Sequence, residues 1–163
     1  MSSPEPYEWE ALLSVARTTR DELAIMKLLS TLARAQDNRD REAYLSCFTD
    51  TVYLARSAVL GDGHTGEIAA TELADLYFAE MDKYVTGQHL VSNHIIDVRG
   101  DEASCSADLH AVAITSDGEQ TRATFLLGRY DLRLCRTDRR WLICERSVTQ
   151  RAHGTYLVEG GVS

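Results

Sequence analysis

Two periodicities divide the chain into a helical first half and a second half of strands. Up to residue 84, apolar residues recur every three or four positions, as on one face of an α-helix. After Gly87, apolar and polar residues mostly alternate, as in strands with one buried face. Helices followed by an antiparallel meander predict an α+β domain. A strongly curved sheet with helices across its concave side would leave a pocket for a ligand.

The strongest helical pattern covers residues 21–36, where the apolar positions form a broad face. Thr19 is the expected N-cap of this helix, and Glu22, three residues later, would complete a capping box. A separate short helix is predicted over residues 7–17. Asp40 is expected to cap another over residues 41–48, before a strand at 51–56. A further helix is predicted over residues 68–84.

Four strands are predicted in the second half, over residues 89–98, 103–115, 121–136 and 141–151, and their turns lie at 99–101, 116–118 and 137–139. We divide the chain into an N-terminal extension (1–18), one domain (19–152) and a C-terminal tail (153–163). The first hairpin would bring His89 and His110 to the same end of two neighbouring strands. Two imidazoles brought together in this way are the first indication of a catalytic site.

Composition and charge narrow the classes of function. The 163-residue chain has a formal net charge of −8 and no basic stripe, so we expect no nucleic-acid partner. No apolar run approaches the roughly 20 residues that span a bilayer, and the N-terminus lacks a signal-peptide pattern. We therefore predict no membrane association and a cytoplasmic location.

Neither a metal nor a cofactor is predicted. The cysteines have no zinc-type spacing, and a bridge between Cys135 and Cys144 across a hairpin is conceivable but disfavoured in a reducing cytosol. Residues 61–66 fit the pattern G-x-G-x-x-G, but a dinucleotide site would also need a parallel βαβ unit. We interpret this stretch as a flexible loop.

Three stretches together resemble the SnoaL-like branch of the nuclear transport factor 2-like superfamily. They are AQDNRD (35–40) ahead of CFTDTV (47–52), HLVSN (89–93), and GRY (128–130) running on to Trp141. The resemblance implies a cone-shaped, curved sheet that encloses a pocket with the N-terminal helices. Members of this superfamily include dehydratases, cyclases and isomerases, and the small subunits of ring-hydroxylating dioxygenases. A shared fold does not choose among them.

The catalytic pattern is most similar to that of scytalone dehydratases, which use an Asp at the end of the first long helix and two strand histidines. The resemblance assigns these catalytic roles to Asp37, His89 and His110. Each assignment has an alternative. Asp37 could serve simply to end a helix, and the His89 side chain could serve simply to hydrogen-bond the backbone. The polar face that carries His110 either lines the pocket or meets solvent, and alternation alone does not choose.

The substrate-holding groups differ from that family, since Gln36 stands where a tyrosine is expected. Tyr53 and Arg56 are the nearest candidates for a second tyrosine, and Tyr130 lies near the expected polar residues of the third long strand. With Asn93 from the HLVSN stretch, the predicted substrate-binding set is Tyr53, Arg56, Asn93 and Tyr130. The different groups imply a different substrate.

We therefore predict a cofactor-independent dehydratase, isomerase or cyclase that uses an Asp–His dyad on a small cyclic, largely apolar hydroxy-carbonyl metabolite. Natural-product, aromatic or steroid-like metabolism would supply such a molecule. Two alternatives stay open: a non-catalytic small subunit of a ring-hydroxylating dioxygenase, and a small-molecule-binding protein. An open sheet exposes one broad face, so a homodimer or homotrimer is expected.

Overall fold

In the computed structural model, which describes residues 6–56 and 65–159, six strands form one curved, unclosed sheet that packs against helices. The predicted α+β class is confirmed. The strand order is β2-β1-β6-β5-β4-β3, with β1 parallel to β6 and every other pair antiparallel. The elements are α1 (Pro6–Asn38), α2 (Arg41–Leu45), β1 (Phe48–Arg56), β2 (Gly66–Ala69), α3 (Ala70–Met81), β3 (Thr86–Arg99), β4 (Glu102–Ser116), β5 (Thr121–Thr137) and β6 (Arg140–Val158).

Helix α1 is continuous, so the prediction of two helices with Thr19 as a cap is wrong. No Gly or Pro interrupts residues 7–38, and Thr19 lies inside the helix. The predicted cap of α2 is confirmed, because the Asp40 carboxylate accepts a hydrogen bond of 2.9 Å from the amide of Ala43. Between the two helices, Arg39 takes a left-handed conformation (φ 55°), which ends α1.

The sheet contains one strand more than the sequence pattern predicted, and its last strand is longer. Residues 66–69 pair with β1 as strand β2, so α3 is shorter than the predicted helix over 68–84. Strand β6 continues to Val158, where the pattern predicted a tail from residue 153, because β5 supplies pairing partners as far as Thr121. Residues 61–64 of the glycine-rich stretch, with His64, lie outside the described residues.

The core lies between α1, α3 and the concave face of the sheet. Tyr44 and Tyr77 stack at its centre, with ring centroids 5.3 Å apart and planes 14° apart. Side chains almost fully withdrawn from water surround them; they include Ile25, Leu29, Leu32, Val52, Leu73, Leu132, Leu134, Ile143 and Val148. Burying such side chains contributes about 1.5–3 kcal/mol each. This core fixes the end of α1 against the sheet.

Cys135 and Cys144 form a disulfide, so the prediction against this bridge is wrong. A register irregularity between Arg133 and Leu134 sets Cys135 of β5 beside Cys144 of β6, with a Cα–Cα distance of 6.2 Å. That separation lies within the usual range for a disulfide. Cys47 and Cys105 are buried free thiols.

A buried ion pair joins α1 to β5. Asp21 accepts hydrogen bonds of 3.1 and 2.8 Å from Arg136, whose guanidinium also lies over the Trp141 ring at 4.2 Å. Hydrogen bonds from Arg136, and to a smaller extent from Arg20, lower the pKa of Asp21 from 3.8 to about 2, although burial acts in the opposite direction. Asp101, on the exposed side of Arg136, accepts from the guanidinium as well.

We predict that Asp21→Asn lowers the free energy of unfolding by about 2 kcal/mol at neutral pH. A carboxyl whose pKa is lower in the folded chain adds stability above its unfolded pKa and loses it as pH falls through its folded pKa. The wild type should therefore lose its advantage between about pH 4 and about pH 2. Denaturant unfolding of both proteins across this range measures the effect.

Asp101→Asn is the matched control, because that side chain is 82% exposed. Its effect should stay within about 0.5 kcal/mol, as for other exposed ion pairs. Equal effects of the two substitutions would contradict a special role for the buried pair.

Candidate active site

The last turn of α1 and the start of β3 bring a carboxylate and an imidazole together. Asp37 Oδ1 lies 2.7 Å from His89 Nδ1 and accepts a second hydrogen bond, of 2.9 Å, from the His89 backbone amide. The two side chains are 20% and 13% exposed, so water has little access to the pair. In the neutral imidazole this bond assigns the proton to Nδ1, and Nε2 is then the nitrogen that can accept a proton.

A cavity of about 210 Å³ opens beside this pair, between the C-terminal ends of α1 and α3 and strands β3 to β5. Asp37, His89, Gln36 and Tyr77 form a polar side of its lining. The rest of the lining is largely apolar and includes Met81, Val85, Ala111, Val112, Phe125 and Leu126. The volume lies below the usual range for drug-sized ligands, so the cavity suits a small molecule.

Tyr77 places a phenol next to the second nitrogen of the imidazole. Its hydroxyl lies 3.4 Å from His89 Nε2, and the residue is 1% exposed. Burial raises the pKa of Tyr77, with the nearby Tyr130 hydroxyl adding to the effect and the positive charge of Arg146 opposing it. The phenol therefore stays protonated at neutral pH and is a hydrogen-bond donor.

Gln36 is buried at the cavity wall with a side-chain amide that has no hydrogen-bond partner. It lies close enough to Tyr77 to lower the pKa of that hydroxyl, but no contact of its two polar atoms meets hydrogen-bond geometry. An unsatisfied buried amide costs stability. A ligand that hydrogen-bonds Gln36 would recover this cost.

Arg146 is a buried guanidinium behind the cavity wall. Its Nη1 donates a hydrogen bond of 3.2 Å to the hydroxyl of Tyr44, and its charge lies over the Tyr130 ring at 5.3 Å. In the described ranges no carboxylate pairs with Arg146, and its Nε has no hydrogen-bond partner. A buried charge of this kind stabilises negative charge that develops nearby.

The structure does not bring His110 to the dyad. Opposite residues in the β3–β4 pair are His89 with Ala111 and Leu90 with His110, so the two histidines lie on opposite faces of the sheet. His110 is exposed, on the face away from the cavity. Its polar strand face meets solvent, and the prediction of a shared site is corrected on this geometry.

None of the predicted substrate-binding residues whose side chains the structure describes lines the cavity. Tyr53 is 46% exposed, between the inward-facing Val52 and Leu54. Tyr130 is buried in the core against Arg146, and the side chain of Arg56 lies outside the described residues.

Asn93 is displaced from the cavity by an irregularity in β3. It has a φ of 53°, and its amide donates a hydrogen bond of 2.8 Å to Asp108 at an exposed position. The register shifts between Ser92 and Ile95, so the inward positions change from odd to even numbers. His94 is thereby partly buried, and this burial lowers its pKa.

Sequence reasoning missed Tyr77, Gln36 and Arg146 as members of the site. Tyr77 has ordinary helical spacing, so it is indistinguishable from a core aromatic in the sequence. Arg146 follows a register shift in β5–β6, between Arg133 and Leu134, which hides its inward direction from simple alternation. In the sequence, Gln36 is distinguished only by standing where the similar family has a tyrosine.

No group of three or more metal-binding side chains occurs within residues 6–56 and 65–159. In the same described part of the chain, no helix is long and apolar enough to cross a membrane.

The chain is similar to known proteins in sequence and in structure. The sequence model of the SnoaL-like domain matches residues 17–147. A search of curated proteins finds no match. Among solved structures, a Kribbella flavida protein is similar with a TM-score of 0.77 at 17% identity, over 84% of this chain and 95% of that one.

Two further similar structures carry names of enzymes. A candidate scytalone dehydratase from Novosphingobium aromaticivorans has a TM-score of 0.74 at 16% identity, over 89% of this chain and 93% of that one. A hexachlorocyclohexane dehydrochlorinase, LinA-type3 from Novosphingobium barchaimii, has a TM-score of 0.73 at 17% identity, over 90% of this chain and 97% of that one. These likenesses confirm the predicted cone fold.

Proposed function

The chain belongs to the SnoaL-like domain family, and we propose that it is a cofactor-independent acid–base enzyme. Its reaction is the loss of water from, or a proton shift within, a small cyclic, largely apolar hydroxy-carbonyl molecule. The observation that carries the proposal is the Asp37–His89 pair, which lines the cavity and whose second imidazole nitrogen, Nε2, lies beside the Tyr77 hydroxyl. An oriented imidazole beside a largely apolar cavity is the arrangement that general base catalysis needs.

His89 acts as the base. Its Nε2 accepts the proton from the carbon next to the substrate carbonyl, and the electron pair of that C–H bond forms an enolate. Asp37 holds the tautomer through Nδ1 and stabilises the imidazolium that results. For water loss, the imidazolium returns the proton to the departing hydroxyl as the C–O bond breaks and the C=C bond forms.

Tyr77 acts as the donor to the carbonyl oxygen, which gains negative charge as the enolate forms. Its buried phenol stays protonated and lies next to the base, so one substrate can contact both groups. The charge of Arg146, behind Tyr77, favours the same oxygen. Gln36 supplies a further polar contact at the wall.

The cavity supports a neutral substrate of one ring or two fused rings. Its arginine, Arg39, already donates a hydrogen bond of 2.9 Å to the carbonyl oxygen of Met81 and another to that of Tyr84. Both bonds come from Nη2 and hold the guanidinium against the chain at the end of α3, and most of the remaining wall is apolar. The names dehydratase and dehydrochlorinase, borne by two structural neighbours, both describe eliminations, which is the reaction class proposed here.

The proposal is tested with simple β-hydroxy ketones such as 3-hydroxycyclohexanone and 4-hydroxy-2-tetralone. Loss of water gives a conjugated or aromatic product, which is followed by ultraviolet absorbance and by mass spectrometry. We expect turnover by the wild type that disappears in His89→Ala. Binding of these probes without turnover would contradict the enzymatic proposal and favour a ligand-binding protein.

Tyr77→Phe should lower kcat about 10²-fold while leaving KM nearly unchanged, because the phenol donates mainly to charge that develops in the transition state. Phenylalanine retains the stacking of residue 77 on Tyr44, so the fold should persist. Steady-state kinetics on the same hydroxy ketones measures the effect. Tyr84→Phe, at another tyrosine of the cavity lining, is the control and should be close to wild type. A rise in KM alone for Tyr77→Phe would contradict the assigned role.

A further inference from the structure

The N-terminal part of α1 contributes no residue to the described hydrophobic core. Every residue from Tyr7 to Arg20 is exposed, and burial begins at Asp21. We name residues 7–20 the arm. At 1.5 Å per residue the arm is about 21 Å long.

The arm presents an apolar stripe to solvent. Trp9, Leu12, Leu13 and Ala16 follow helical spacing, and the first three are 52%, 57% and 51% exposed. An isolated helix of this length is marginal in water, and the threonines at the base of the arm are weak helix formers. The stripe therefore needs a partner that covers it.

The pattern of the stripe is complementary to itself when the direction is reversed. We propose that the arm pairs antiparallel with the arm of a second copy of this chain. The centre of the stripe lies between Leu12 and Leu13, so reversal sets Leu12 of one copy against Leu13 of the other. It also sets the large Trp9 against the small Ala16, which lets the two helices approach closely.

Charge favours the same antiparallel arrangement. Glu10 and Arg17 are seven residues apart and lie on one flank of the stripe. In the antiparallel pair this flank meets the same flank of the second copy, so Glu10 lies beside Arg17 twice by symmetry. Neither side chain has an ion-pair partner in the described part of the chain.

A membrane surface suits the arm less well. Peripheral membrane helices carry mainly basic polar faces, whereas the arm carries both signs and the whole chain has a net charge of −8. A second copy, in contrast, matches both the stripe and the flank. The stripe and the charged flank together carry the proposal.

The test is the oligomeric state of the full-length protein, measured by sedimentation velocity over a range of concentrations. We expect a dimer for the wild type. Leu12→Glu should weaken the dissociation constant at least about 100-fold, because a carboxylate enters the apolar centre of the pair. Ser14→Glu, on the opposite face of the arm, is the control and should leave the constant unchanged. Circular dichroism and the melting temperature show whether each variant is folded.

A charge exchange tests the direction of the pairing. Glu10→Arg and Arg17→Glu should each weaken association by about tenfold, and the double variant should restore it. A monomeric wild type would overturn the proposal, as would a dimer that Leu12→Glu leaves unchanged. A double variant weaker than both single variants would overturn the antiparallel arrangement.

Discussion

Replacing His89 by alanine is expected to lower kcat/KM for a hydroxy-ketone substrate by about 10³- to 10⁴-fold. General base catalysis contributes about 10²- to 10⁴-fold, and His89 is proposed to act first as base and then as acid. Within the described cavity lining no second imidazole can substitute for it. Initial rates at several substrate concentrations measure the loss, and thermal unfolding checks that the fold persists.

His110→Ala is the matched control, since His110 lies on the other face of the sheet and is exposed. Its kinetics should equal those of the wild type. If His110→Ala lost activity as completely as His89→Ala, the arrangement of the site described above would be wrong.

Asp37→Asn is expected to lower kcat by about 10²- to 10⁴-fold with little change in KM. Asparagine keeps the size of the side chain but removes the charge that stabilises the imidazolium. It also allows the amide to face Nδ1 with its NH₂ group, which selects the wrong tautomer of His89. Steady-state kinetics measures the first effect, and nitrogen NMR of the imidazole identifies the protonated ring nitrogen.

The control for this substitution is Asp108→Asn, at the exposed carboxylate that bonds Asn93 and Arg151. Kinetics of Asp108→Asn should resemble those of the wild type. A wild-type kcat in Asp37→Asn would show that the carboxylate only ends helix α1, which was the alternative for this residue.

The dyad could be predicted from the sequence because its two residues occur at element ends that the pattern locates well. Asp37 follows a strongly periodic helix, and His89 opens the first long alternating strand. Positions near such ends depend little on details of register. A resemblance to a known family supplied the expectation that the two ends meet.

His110 and Asn93 were misplaced because alternation shows which residues share a face but does not show which face is buried. Both faces of β4 carry residues small or polar enough to line a pocket. In β3 the irregularity at Asn93 also exchanges the faces, and a left-handed Asn is compatible with many loops and strands. Only the register with neighbouring strands decides the direction of these side chains.

Arg146 and Tyr77 show a second limit of sequence reasoning. A buried arginine without a carboxylate is rare, so an arginine in an alternating strand is normally assigned to the solvent face. The structure turns Arg146 inward among three tyrosines that come from α2, α3 and β5. Their proximity depends on packing between elements that are distant in the chain, which a local pattern does not contain.

The prediction that α1 is interrupted near Thr19 is wrong for a related reason. Thr19 and Glu22 satisfy the local pattern of a capping box, but the same residues are compatible with an uninterrupted helix. The arm continues through them as one helix although every one of its residues is exposed.

Proton exchange in a ketone that has no leaving group tests the central claim most directly. In D₂O, 2-tetralone exchanges the hydrogens next to its carbonyl only if a base removes them, and proton NMR follows the loss of signal. The Asp37–His89 account predicts that the wild type accelerates this exchange well above the buffer rate and that His89→Ala does not. Equal exchange rates with the wild type and with His89→Ala would contradict it.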